Sequence, residues 1–262
     1  TSQRIAALLR RYGREAEAVA EEARGAQSAV REEHIASTFD RVYVCSSADR
    51  QRLLDRHTGT EICVLPNAIR LPAARTERPG DAFTLLFVGT LGYYPNVEAL
   101  RFFCTSVLPA VRRGSQRRVR VLVVGRGATP EVQALCRRSG VDLAGAVPDI
   151  DPYYREADVA VAPVHAGGGT RIKILEAFGY GVPIVSTSIG AEGIDARHEE
   201  HLLIADRPDD FASACLRLAC DADLARRLSE NALTLVRNAY SLDAMRETID
   251  GLYSSPPHPE SR

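Results

Sequence analysis

The sequence has almost no lysine. Of its 33 basic residues only Lys173 is a lysine; the others are arginines. A bias that replaced Lys by Arg everywhere else spared this position, which predicts that a compact ammonium is needed there. No apolar run approaches the roughly 20 residues of a membrane span, so no transmembrane segment is expected. Cys45, Cys63, Cys104, Cys136, Cys215 and Cys220 form no CxxC pair and no metal-ligand spacing. They read as reduced, buried thiols of a cytosolic protein. The net charge is only −1, which leaves no bulk electrostatic footprint for nucleic acid or an anionic membrane. The opening residues go straight into a charged helical pattern, so no signal peptide is expected, and no internal repeat is read. The chain opens Thr-Ser-Gln-Arg without a Met, which gives the expectation of a fragment or a processed product. What is present is an ordinary globular mix, 45% apolar and 26% charged over 262 residues. That is enough for one large domain, or for one domain and part of another.

Residues 1–37, rich in Ala, Glu and Arg, read as one helix. Residues 41–46 read as a strand, 47–56 as a short helix, and 61–65 as a second strand stopped by Pro66 and Asn67. Pro72, Pro79 and Gly80 lie among charges in 70–82, which marks a linker and the best domain boundary. From 83 the pattern turns regular. Apolar runs at 83–88, 119–124, 141–144, 158–162, 183–187 and 201–205 alternate with helical patterns at about 96–112, 130–139, 150–156 and 170–180. Short, nearly continuous β-branched runs separated by helices predict a parallel sheet covered on both faces, an α/β doubly wound (Rossmann-like) fold. Helices follow at 208–220, 222–237 and 241–253, and 254–262 reads as a disordered tail. The basic stretch 112–120 reads as a solvated face.

In such a sheet, ligands bind beyond the carboxyl ends of the strands. Four strand ends therefore matter: Gly89 and Thr90 after the first, Arg126 after the second, Val147 after the third, and His165 with the run that follows it after the fourth. This last run is the most informative. Gly167, Gly168 and Gly169 permit close backbone approach to a ligand. Thr170 stands near a helix start, where free N–H groups and the helix dipole favour an anion. Arg171 and Lys173 put cations where the dipole disfavours them, an arrangement that a bound diphosphate would offset. Glu176, three residues past Lys173, is placed to accept hydrogen bonds from ribose hydroxyls. Gly125 and Gly127 form a lone GxG, which is weak as a dinucleotide fingerprint. No pair of Asp residues is set to hold a divalent cation, so a metal-free site without a cofactor is expected.

Residues 83–205 resemble the C-terminal Rossmann-like domain of GT-B glycosyltransferases, specifically the retaining family 4. The residues that carry the resemblance are the run 167–187 (GGGTRIKILEAFGYGVPIVST), Val88-Gly89-Thr90-Leu91 with Pro95-Asn96, Val147-Pro148-Asp149 with Tyr153-Tyr154, and Gly190-Ala191-Glu192-Gly193. Residues 38–71 are similar to the last strands of that family's N-terminal, acceptor-binding domain, and the helix at 241–253 to the one that crosses back to it. The resemblance implies a domain division: 1–71 as a remnant of the acceptor domain, 72–82 as linker, 83–253 as the nucleotide-sugar-binding domain and 254–262 as tail.

It also implies a function, retaining transfer of a sugar from a nucleotide diphosphate sugar to an unknown acceptor, with this chain supplying the donor-binding half. The expected donor-site residues are Gly89, Thr90, Arg126, Val147, His165, Gly168, Gly169, Thr170, Arg171, Lys173 and Glu176; the catalytic residues stay unassigned. The chain alone is expected to be inactive without the rest of the acceptor domain. The expected localisation is cytoplasmic, or peripheral at the inner face of the membrane in a longer protein. Two departures from the family pattern stand out. The first of its two glutamates falls on Gly168, and the Arg and Lys that many members carry after the first glycine loop are absent from 89–96, so that Arg171 and Lys173 would supply that charge. The alternatives are a nucleotide-sugar epimerase or hydrolase of the same architecture, or a non-catalytic nucleotide-binding fragment.

Overall fold

The computed structural model describes residues 1–56, 59–73, 80–168 and 172–254, with side chains as far as Leu252. The expectations for Gly169, Thr170 and Arg171, for most of the 72–82 linker, and for the 254–262 tail beyond Ser254 lie outside the described residues.

The chain begins with helices α1 (Ser2–Arg11) and α2 (Glu15–Thr38). The single helix expected over 1–37 is thus two. Gly13, at φ +71°, takes the left-handed conformation that ends α1 and turns the chain. Strand β1 (Arg41–Val44), helix α3 (Ser47–Leu54) and strand β2 (Glu61–Val64) follow. The two strands pair in parallel as a separate two-stranded sheet. Of the six cysteines expected to be buried, Cys104, Cys136 and Cys215 are, Cys63 is partly exposed, and Cys45, just beyond β1, and Cys220 are exposed. Burial pushes the Cys104 thiol up to about 12, which keeps it protonated and inert.

The larger unit alternates as its sequence pattern requires. Its elements are β3 (Ala82–Val88), α4 (Tyr94–Phe102), a five-residue π-wound segment Phe103–Val107, α5 (Leu108–Gly114), β4 (Arg118–Val124), α6 (Pro130–Ser139), β5 (Asp142–Gly145), α7 (Asp151–Glu156), β6 (Val159–Ala162) and α8 (Ile172–Gly179). Then come β7 (Ile184–Ser186), α9 (Ser188–Ala191), β8 (Leu203–Ile204), α10 (Pro208–Cys220), α11 (Ala222–Ala239) and α12 (Leu242–Ser254). The short α9 was not expected; Thr187 starts it by accepting the Gly190 amide at 2.9 Å.

All pairings in the six-stranded sheet are parallel, in the order β5-β4-β3-β6-β7-β8. The strand pleat sorts side chains onto two faces. Phe83, Leu85 and Phe87 of β3, with Val121 and Val123 of β4, join one buried cluster against α4, α5 and α10. Leu86, Leu122 and Val124 join the other, against α8 and α11. Each fully buried Leu or Phe contributes about 1.5–3 kcal/mol relative to exposure, and this explains why these strands read as nearly continuous apolar runs, interrupted by Thr84 and Arg120. The chain steps outward from β3 to β5, then crosses to β6 on the other side of β3. The topological switch point therefore lies between β3 and β6, where the loops before α4 and α8 meet.

Ile69 is built into the second cluster, and its amide donates to Tyr240 O at 2.8 Å. At the other end, Arg41 Nη1 donates to Leu252 O at 3.1 Å, so the final helix reaches back to β1.

Candidate functional site

The two glycine loops on the β3 and β4 ends pack backbone against backbone. Gly89 N donates to Val124 O at 3.0 Å and Leu91 N to Arg126 O at 2.7 Å. A Cβ on Gly125 would collide with the Gly89 carbonyl oxygen and lie 2.8 Å from its carbon. The GxG at 125 and 127 thus has a structural cause, the close passage of neighbouring loops. Arg126 and Thr90 are exposed above this floor, and Val147 packs partly buried against the second cluster.

Lys173, the second residue of α8, reaches across the switch point. Its Nζ donates to Asn96 Oδ1 at 2.9 Å and stands 5.3 Å from the centre of the Phe87 ring, within range of a cation–π attraction. It also lies against Gly89, where an added Cβ would come to 3.0 Å from Nζ. The structure therefore brings Gly89, Asn96 and Lys173 together at the starts of α4 and α8, where the helix dipoles point their positive ends. An ammonium between two helix starts has the charge and the free N–H groups that could hold an anion.

Glu176, one turn along α8, is half-buried. Burial raises its carboxyl above the usual range, against the opposing pull of a Tyr154 hydroxyl and of Lys173. Tyr154 Oη lies 3.1 Å from Glu176 Oε2 and 3.2 Å from Lys173 O, so one hydroxyl proton serves two acceptors. The Tyr154 ring is fully buried and stacks on Tyr180 at 4.6 Å and 10°, which fixes the hydroxyl. Asn96 and Tyr154 were missing from the expected site. Pro95-Asn96 and Tyr153-Tyr154 were among the motifs that carry the family resemblance, but neither residue was taken into the expected donor site.

His165 has other partners. Its ring packs edge-on against Phe102 at 4.4 Å, and Nε2 lies 3.5 Å from Asp206 O. At Gly168 a Cβ would collide with Thr1 Oγ1 and come to 2.9 Å from Thr1 Cβ, so with Thr1 in this place the loop has no room for the family's first glutamate. The surroundings explain why Thr1 is there. Ile5, Ala6, Leu9 and Ala18 of the α1–α2 pair bury Ala166, and Arg14 stands 4.5 Å over the Tyr94 ring. Glu192 pairs with Arg4 and, at 2.7 Å, with Arg52. Among the described residues no three His, Cys, Asp or Glu gather to hold a metal, and no helix is long and apolar enough to cross a membrane.

Residues 82–221 match the family model described as glycosyl transferases group 1. The chain belongs to that family. An uncharacterised 44.6 kDa protein in the cps region of Klebsiella pneumoniae is 24% identical over 164 residues, 60% of this chain and 42% of that protein. Anabaena HepE, solved with UDP and glucose, superposes with a TM-score of 0.71 at 15% identity, covering 86% of this chain and 66% of its own. An S. aureus TarM variant, solved with UDP among its ligands, superposes with a TM-score of 0.70 at 15% identity, covering 84% of this chain and 45% of its own. The fold of this group 1 chain is that of the C-terminal, Rossmann-like half of GT-B enzymes. The chain spans between 42% and about two thirds of the length of these relatives.

The raised Glu176 carboxyl has a testable consequence. A carboxyl that holds its proton more tightly when folded costs stability only when it is ionised. That cost is fully present above its folded pKa and vanishes as pH falls to the ordinary Glu value. Ligand-free Glu176→Gln should therefore match or exceed the wild type in urea midpoint at pH 8, with the difference fading towards pH 4.5. A variant less stable than the wild type at pH 8 would show that the carboxylate is structural.

Proposed function

We propose that this chain holds the nucleotide diphosphate sugar donor of a retaining GT-B glycosyltransferase, and that the sugar passes to an acceptor bound on the side of residues 1–71. The observation that carries this reading is Lys173 Nζ set at the β3–β6 switch point, against Gly89 and 2.9 Å from Asn96 Oδ1. In this reading the ammonium and the start of α8, with Thr170 and Arg171 ahead of it, receive the diphosphate. The half-buried Glu176 receives the ribose hydroxyls. As the bond to the sugar breaks, negative charge builds on the leaving phosphate, and a prearranged cation stabilises it more than it stabilises the ground state. Gly89, Thr90, Arg126 and Val147 would form the floor and rim, and Gly168 would lie beside the sugar. His165, turned to Phe102 and Asp206, is the weakest member of the set, which also disfavours an epimerase that needs an acid–base pair at the sugar.

Two features support the domain division. The β1–β2 sheet is separate from the larger one, and α12 returns to β1 through Arg41 and Leu252.

Calorimetry with UDP, GDP and ADP, with and without EDTA, tests the reading. At least one nucleoside diphosphate should bind, with the same affinity in EDTA. Strict dependence on a divalent cation would sink the metal-free site, and failure of all three nucleotides would sink the function.

A further inference from the structure

We propose that Asn96 is a positioning residue of the donor site, one that acts through Lys173 rather than by touching the nucleotide. The inference rests on the nucleotide-sugar reading above. Both ends of the Asn96 amide are used. Its oxygen accepts from Lys173 Nζ at 2.9 Å, and its nitrogen donates to Thr90 O at 3.1 Å. This assignment is the only one the network allows, because a flipped amide would set donor against donor at Lys173 and acceptor against acceptor at Thr90.

The backbone beneath the amide is also fixed. Asn96 N donates to Tyr93 O at 2.9 Å in the first turn of α4, and Pro95 before it is buried. A lysine ammonium rides on a flexible four-carbon stem, and a ligand that must first order such a stem loses part of what the contact contributes. Here the stem is ordered in advance. Asn96 holds the ammonium, the Phe87 ring flanks it at 5.3 Å, and the bare Gly89 lets it come down onto the β3 end. The same amide ties the loop after β3 to α8, so the Thr90 loop and the cation move as one.

The single lysine gives a direct probe, since 15N-lysine labelling reports one Nζ. The wild type should show a slowly exchanging Nζ–H signal. Asn96→Ala should lose that protection and bind UDP about 10-fold more weakly. Asn96→Ala combined with Lys173→Ala should bind UDP no worse than Lys173→Ala alone. Should Asn96→Ala fail to fold, Asn96→Ser, too short to reach Nζ, gives the same readouts.

Unchanged UDP affinity in Asn96→Ala, or losses that add in the double variant, would overturn the positioning role. A purely structural residue would lower Tm without moving the Nζ signal. A wild-type chain that shows the protected signal but binds no nucleoside diphosphate would overturn the functional reading instead, and the role assigned to Asn96 with it.

Discussion

Gly125→Ala should destabilise the chain by on the order of 3 kcal/mol, a substantial part of the 5–15 kcal/mol that holds a typical domain together. Two costs combine. Gly125 sits at φ +154°, and an L side chain there is strained. More importantly, the new Cβ meets backbone, the carbonyl oxygen of Gly89 and its carbon at 2.8 Å. Backbone cannot step aside as the tip of a flexible side chain can, so the β3 and β4 loops must separate, breaking bonds such as Leu91 N to Arg126 O at 2.7 Å. Overpacking of this kind costs typically 1–3 kcal/mol and sometimes more. For a chain of this size the expected fall in Tm is roughly 5–10 °C. Gly145→Ala is the control, because Gly145 has φ +72° and nothing within 4 Å of an added Cβ, and so carries the conformational cost alone. If the two variants melt together, the close passage of the loops is not what demands glycine at 125. Because Gly89 also floors the Lys173 niche, Gly125→Ala should weaken UDP binding as well.

The parts of this molecule that were legible in its sequence are those settled locally. The β3 and β4 strands announced themselves because both of their faces are buried over most of their length, which leaves Thr84 as the one polar side chain inside β3 and confines those of β4 to Arg118 and Arg120 at its start. The candidate anion site was half legible: a glycine run before a helix start and a lone lysine in an arginine-rich chain are both local facts. What the lysine touches was not legible. Asn96 lies 77 positions away and meets Lys173 only because β3 and β6 are neighbours, a matter of strand order that no window of sequence contains. The break in the N-terminal helix was missed because one glycine in an Ala- and Glu-rich stretch costs only about 1 kcal/mol as helix. The packing of α1 onto Ala166 decides the outcome, and that contact spans the chain. Gly168 shows the same limit. The sequence marks the absence of a glutamate, whereas the position of Thr1 beside it is a fact of tertiary packing.

Lys173→Ala should weaken nucleoside diphosphate binding by roughly 1.5–3 kcal/mol, the range for hydrogen bonds to charged groups, or about 10- to 150-fold. The ligand-free Tm should hardly change, since the ammonium lies at the mouth of the switch point and Asn96 can turn to water once its partner is gone. Lys173→Arg separates charge from fit. The charge survives, but the niche between Gly89, Asn96 and Phe87 is cut for an ammonium: a single Cβ added at Gly89 would already stand 3.0 Å from Nζ. A planar guanidinium is broader and carries its donors in a fixed fork, so it must ride higher and lose the Asn96 bond. Lys173→Arg should therefore recover only a minor part of the affinity lost in Lys173→Ala, which would explain why this position alone kept its lysine. Titration of both variants with UDP, beside thermal melts without ligand, gives the answer. Full recovery by arginine would show that charge alone is needed and that the niche has no part in the choice. An alanine variant that unfolds, while its folded remainder binds UDP as well as the wild type, would make Lys173 a structural residue.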